Sequence, residues 1–281
     1  MATNVSIRDI FVEANGIRHH LIARGHPGSP VVLMIHGLAG QAHMFDAIAN
    51  RLAAKYHVYC LDVRGRGESA WGPPAEYSID TYVADLEAVR DALGLQRISL
   101  VGTSMGGAIA MQYAPKHPER VAKVVLNDIG PEIDPEGRQR IVSYVGSAPE
   151  MFADMKAVVR YYKDHYAPMV EHMPEDQLAE LARYNVRKSD TGVFVWKMDS
   201  AIRTAEAIPT ATGPWEAFKA ISSPVLILRG AKSDVLSSSI ANRMVEVLPG
   251  AKLVEVPGVG HAPVLTEPEA ARALEEFLGG A

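Results

Sequence analysis

Short, mainly apolar runs recur along the chain: Val31-Val32-Leu33-Met34-Ile35, then Val58 to Leu61, Ile98 to Val101, Val121 to Leu126, Val225 to Leu228 and Leu253 to Val256. Runs of this length without strict polar alternation are typical of strands covered on both faces. Between them the spacing becomes helical. After Ser78, apolar residues fall at Ile79, Tyr82, Val83, Leu86, Val89 and Leu93, and Gly94 closes the stretch. That is one helical face with a capping residue at each end. Near the C-terminus, Thr266-Glu267-Pro268-Glu269 predicts a capping box ahead of Ala270, Leu274, Phe277 and Leu278. Strands alternating with helices specify βαβ units, and so an α/β fold with a mostly parallel central sheet and helices on both faces. The opening differs. Ile7 to Ala14 and Ile17 to Ala23 are joined by Asn15-Gly16, a dipeptide suited to positive φ, which predicts an antiparallel hairpin at one sheet edge.

The alternation breaks over residues 131–214, which divides the chain into a core of residues 1–130 and 215–281 and an inserted segment. Within it, Ser147-Ala148-Pro149-Glu150 predicts the start of a helix that carries Met151, Phe152, Met155, Val158, Val159 and Tyr162 on one face. A second helix is expected after Pro174, and only Val193 to Trp196 reads as a strand. The expectation is a helical insertion folded over the C-terminal edge of the sheet. Of its aromatics, Phe152, Tyr161, Tyr162 and Trp196 are candidates for a pocket wall, with packing inside the insertion the expected role for most of them.

The run Ile98 to Val101 leads into Gly102-Thr103-Ser104-Met105-Gly106-Gly107 and then into the apolar helical stretch Ala108 to Tyr113. Gly-x-Ser-x-Gly between a strand and a helix holds the serine at the tip of a sharp turn. Glycines are needed there because side chains at positions 102 and 106 would collide as strand and helix close. A serine hydroxyl also needs a base. His261 stands in the loop between the last apolar run and the last helix, where open α/β sheets place their chemistry. Two carboxylates compete to orient it. Asp234 lies beyond the run at Val225 to Leu228 and is ranked first; Asp128, in Asn127-Asp128-Ile129-Gly130, is read as a turn or supporting residue. The expected triad is therefore Ser104, His261 and Asp234. The Leu38 and Met105 amides are the expected oxyanion donors, and His36 is read as a brace for its loop.

Composition narrows the alternatives. The chain has 281 residues, 48% of them hydrophobic and 22% charged, with a net charge of −5 and no basic block of the kind nucleic acids require. The one cysteine, Cys60, cannot form an internal disulfide and reads as a buried strand residue. The first residues lack a leader pattern and no apolar run is long enough for a membrane span, so a soluble, cytoplasmic protein is expected. No His-Glu-x-x-His or similar ligand set is present, and neither metal nor cofactor is expected.

These pieces together resemble the α/β-hydrolase superfamily: His36-Gly37, Asp62-x-Arg64-Gly65-x-Gly67-x-Ser69, Gly102-x-Ser104-Met105-Gly106-Gly107, the loop from Gly230 to Asp234, and Gly260-His261. The resemblance implies a helical cap after the sixth strand, oxyanion amides from Leu38 and Met105, and structural roles for Asp62 and Arg64. It also implies a serine carboxylesterase or lactonase acting on a small molecule through an acyl-enzyme. Carbon–carbon hydrolases and perhydrolases share the layout, but the segment after His36-Gly37 lacks the Gly-Pro-Gly of the former and the proline of the latter. A receptor-like binder on the same fold is the alternative outside enzymology.

Overall fold

A computed structural model of the chain describes residues 6–166, 170, 173–204 and 213–280. Residues 1–5 and 281, and positions 167–169, 171–172 and 205–212 of the inserted segment, lie outside these. The strands are β1 (Arg8–Ala14), β2 (Ile17–Arg24), β3 (Val31–Ile35), β4 (His57–Asp62), β5 (Ile98–Thr103), β6 (Val121–Asn127), β7 (Met151–Phe152), β8 (Val186–Lys188), β9 (Phe194–Trp196), β10 (Val225–Gly230) and β11 (Lys252–Val256). Eight of them form one sheet in the order β1-β2-β4-β3-β5-β6-β10-β11. The pairs from β4 to β11 are parallel, and β1 and β2 add the antiparallel edge. Asn15 and Gly16 both take positive φ, 46° and 82°, as their hairpin turn demands.

Helices cover both faces. In chain order they are α1 (Asp46–Leu52), α2 (Ile79–Ala92), α3 (Met105–Lys116), α4 (Pro135–Gly146), α5 (Met155–His165), α6 (Glu175–Arg183), α7 (Trp215–Lys219), α8 (Ser238–Val247) and α9 (Pro268–Gly279). Strand residues alternate between two cores. Leu33, Ile35, Leu100 and Leu126 pack with α2, α3 and α8, whereas Val32, Met34, Val101 and Val125 pack with α1 and α9. Cys60 is buried in the second core, where desolvation pushes its thiol up to about 12. Ser78 caps α2 by accepting from the Thr81 amide at 3.2 Å. The capping box expected at Thr266 does not form. The cap is Glu267, because Pro268, which lacks an N–H, suits the first helical position.

The segment between β6 and β10 holds the strand expected at Val193 to Trp196, as β9, and two more beside it. Met151 and Phe152 form β7, which pairs with β9, and β9 pairs with β8, giving a small antiparallel sheet beside α5 and α6. The helix expected from Ser147 instead begins at Met155, where Asp154 accepts from the Ala157 amide at 2.8 Å. Its cap, Asp154, stands seven positions beyond Ser147, and pairing with β9 claims Met151 and Phe152 before it. Among the described residues no helix is long and apolar enough to cross a membrane.

Candidate active site

Ser104 follows directly on β5 and precedes α3, with φ 52° and ψ −118°, a backbone region that costs a non-glycine residue about 1–3 kcal/mol. Glycines make the turn possible. A Cβ on Gly102 would lie 2.3 Å from the Gly106 carbonyl oxygen, and one on Gly106 would lie 2.0 Å from the Ile35 carbonyl oxygen. Strand, elbow and helix therefore close to contact distances that no side chain tolerates. The Ser104 amide donates to the Asn127 carbonyl at 2.9 Å, which ties the elbow to the tip of β6.

His261 Nε2 lies 2.9 Å from Ser104 Oγ, and its Nδ1 lies 2.8 Å from Asp128 Oδ2. A carboxylate only accepts, so Nδ1 carries the proton and Nε2 is the acceptor for the serine hydroxyl. Asp128 is fully buried and also accepts from the Gly230 amide at 2.8 Å and the Ser233 hydroxyl at 2.6 Å. Three donors thus compensate a carboxylate that burial alone would disfavour.

The carboxylate on His261 is therefore Asp128, and the expected pairing with Asp234 is corrected. Asp234 faces the inserted segment and forms a fork with Arg140 of α4, through Nε to Oδ2 and Nη2 to Oδ1, the latter at 2.8 Å. Burial pushes the Asp234 carboxyl up, but the Arg140 hydrogen bonds and charge outweigh it and hold the group below its ordinary value. The physical reason is position along the strand. Asp128 directly follows β6, the neighbour of β5, whereas Asp234 stands four residues past the end of β10, on the side where α4 packs. A Cβ on Gly137 of α4 would lie 2.2 Å from the Asp234 carbonyl oxygen, so helix and loop are in direct contact.

Leu38 and Met105 flank the serine at the same strand edge and line the same cavity. Among the described residues neither backbone N–H has a hydrogen-bond acceptor. For Met105 this follows from its place at the first turn of α3. His36 braces the preceding loop: Nδ1 donates to the Gly37 carbonyl at 2.7 Å, and Nε2 accepts from the Val63 amide at 3.0 Å. Burial lowers its pKa to about 4, so the ring is neutral at working pH. In the unfolded chain it titrates near the ordinary histidine value, so between about pH 6.5 and 4 the unfolded state binds the extra proton and stability falls with pH. Lowering the pH from 7.5 to 5.0 is expected to remove about 2 kcal/mol through His36 alone, or about 4 °C of melting temperature. His19 and His57, also lowered by burial, act in the same direction, and His20, raised by Asp62 and Asp9 against its own burial, acts oppositely. Thermal melts at the two pH values check this. His36→Gln is expected to melt lower at pH 7.5 and to show a smaller acid-induced drop than the native chain; an equal drop contradicts the assignment.

The remaining motif residues are structural in their contacts. Asp62 accepts from the Ala42 and Glu68 amides and from His20, and Arg64 forks onto Asp85. Ser104 and His261 open into a cavity of about 780 Å³, whose wall is mostly apolar and aromatic. The inserted segment contributes Ile141, Tyr144, Tyr162, Tyr166 and Leu181 to it. Of the four aromatics singled out in the sequence, Tyr162 lines the cavity, whereas Phe152, Tyr161 and Trp196 pack edge-on against one another within the insertion. Ser233 escaped sequence reasoning; its only signal was its place next to the favoured Asp234. Among the described residues no group of three His, Cys, Asp or Glu side chains is placed to hold a metal ion.

Comparison with known proteins agrees with this architecture. The alpha/beta hydrolase fold family matches residues 30–268. A 3-hydroxybutyrate-oligomer hydrolase of Cupriavidus necator is 34% identical over 270 residues, covering 92% of this chain and 91% of its own. A 2-(acetamidomethylene)succinate hydrolase of Mesorhizobium japonicum is 27% identical, covering 92% and 91% respectively. Among solved structures, an alpha/beta hydrolase from Novosphingobium aromaticivorans superposes with a TM-score of 0.87 at 34% identity, covering 97% of this chain and 98% of that one. The family match spans the sheet from β3 to β11, the elbow and the loops that carry Asp128 and His261, and the chain belongs to the α/β-hydrolase family.

Proposed function

We propose that this chain is a serine hydrolase that cleaves a small carboxylic ester or lactone, with Ser104 as nucleophile, His261 as base and Asp128 as the orienting acid. The observation that carries the reading is the continuous contact from Ser104 Oγ through His261 to Asp128, with Ser104 and His261 lining a mostly apolar cavity. His261 Nε2 takes the Ser104 proton as Oγ attacks the carbonyl carbon, and Asp128 stabilises the imidazolium that forms. The Leu38 and Met105 amides receive the negative charge on the carbonyl oxygen. The protonated ring then gives its proton to the departing alkoxide, leaving an acyl-Ser104. Water, deprotonated by the same ring, attacks that acyl group and restores the serine.

An ester is favoured over other bonds by two observations. The Cupriavidus necator relative is named for 3-hydroxybutyrate oligomers, whose units are joined by ester bonds. The cavity offers an apolar wall for an acyl chain and a volume suited to a small substrate. We further propose that the insertion, residues 131–214, acts as the cap that sets acyl preference, since none of the proposed reacting groups lies in it.

A fluorophosphonate is expected to label Ser104 stoichiometrically and to abolish turnover of a short-chain aryl ester in proportion. Peptide mapping by mass spectrometry locates the adduct. Labelling at a different serine, with Ser104 unmodified, overturns the reading.

A further inference from the structure

Arg66 stands in the loop after β4 and is buried, with 1% of its surface exposed. The other buried arginines among the described residues each meet a carboxylate: Arg24 meets Asp46, Arg64 meets Asp85 and Glu76, Arg90 meets Glu87, and Arg229 meets Glu255. Arg66 has only neutral partners. Its Nε donates to the Leu38 carbonyl at 2.6 Å, and its Nη1 donates to the Arg64 carbonyl at 2.8 Å and the Tyr82 hydroxyl at 3.1 Å. Its Nη2 reaches Met105 Sδ at 3.3 Å, and the guanidinium carbon lies 5.2 Å from the centre of the Tyr82 ring. Burying a cation without an anion is costly, and ordinary packing does not require it. Two of those partners, Leu38 and Met105, are the residues whose amides stand ready at Ser104, and Arg66 itself borders the cavity.

We propose that Arg66 is the positioning residue of the oxyanion site, pinning the Leu38 segment and laying a fixed positive charge behind the two amides. This rests on the acyl-transfer reading above. Pinning the Leu38 carbonyl restrains the backbone that aims the Leu38 N–H. The ester carbonyl is neutral when it binds and becomes negative only as Ser104 Oγ bonds to it. A fixed cation close behind therefore favours the tetrahedral state over the bound substrate, and its effect falls on kcat rather than KM. The fold leaves Arg66 without an anion, and the reaction supplies one.

The test compares Arg66→Met, Arg66→Lys and the native chain on a neutral short-chain aryl ester. It also measures Kd for phenylboronic acid, which closes an anionic tetrahedral adduct on a serine, and for the neutral amide analogue of the ester. Arg66→Met is expected to lose about 30- to 100-fold in kcat with KM within about threefold. Its boronate Kd rises by a similar factor, and its amide Kd is unchanged. Arg66→Lys, which keeps the charge, stays within about tenfold of the native kcat. An unchanged kcat in Arg66→Met, a loss confined to KM, or a lysine no better than methionine overturns the inference. If Arg66→Met does not fold, the ratio of boronate to amide Kd in Arg66→Lys decides: a rise of about three- to tenfold supports it, and an unchanged ratio overturns it. Absence of Ser104 labelling in the native chain would instead remove the acyl-transfer reading. A labelled Ser104 with full kcat in Arg66→Met removes only the role of Arg66.

Discussion

Ser104→Ala is expected to lower kcat on an aryl ester by about 10⁶-fold while leaving the circular dichroism spectrum intact. Removing the hydroxyl leaves His261 with nothing to deprotonate except water, so the remaining rate comes from the oxyanion amides and substrate binding. The substitution is mild for the fold. Alanine meets the same backbone strain at φ 52° as serine does and loses only the hydrogen bond to His261. Tight binding of a non-hydrolysed ester to Ser104→Ala separates loss of chemistry from loss of the pocket. Residual turnover of one part in a hundred would mean that another group attacks the substrate.

Asp128→Asn is expected to cost about 10⁴-fold in kcat, with KM little changed. An amide in place of the carboxylate offers an N–H to His261 Nδ1, which turns the ring toward the tautomer that cannot accept the serine proton. The shape is kept, and asparagine tolerates the left-handed backbone at this position, φ 59°. Asp234→Asn is expected to stay within about tenfold of native kcat, because its carboxylate is engaged by Arg140 rather than by His261. Parallel kinetics of the two variants decide the matter, and a larger loss at Asp234 would return the acid to the β10 loop.

Most of the fold was legible because each core strand stands as an apolar run between helical periods, and because Asn15-Gly16 has one preferred turn. The contact between Ser104 and His261 was legible for the same reason: glycine at 102 and 106 has a steric purpose, and His261 precedes the final helix. The carboxylate beside His261 was harder. Asp128 and Asp234 both follow an apolar strand, and local pattern treats them alike. What separates them is sheet order, since β6 lies beside β5 and β10 lies one strand farther away. That order is set by crossovers between distant segments and leaves no local trace. One clue was available: Asp128 touches its apolar run almost directly, whereas Lys232 and Ser233 precede Asp234 in a loop. In the insertion, Ser147-Ala148-Pro149-Glu150 carries a strong helix-start signal, but β7 pairs with β9 across more than forty residues, and nonlocal hydrogen bonds override the propensity.

The loop from Gly230 to Asp234 holds two neighbours at once. Its Gly230 amide and Ser233 hydroxyl fix the Asp128 carboxylate, while its Asp234 grips Arg140 on α4. For anyone diversifying substrate range, the two ends of the insertion are therefore unequal. Libraries built on the α6 side, around Leu181 and Tyr184, alter the cavity wall without touching that loop. Libraries around Gly137, Arg140 or Ile141 act next to the loop that holds Asp128, and under the proposed function a cost in turnover is expected from changes of shape there.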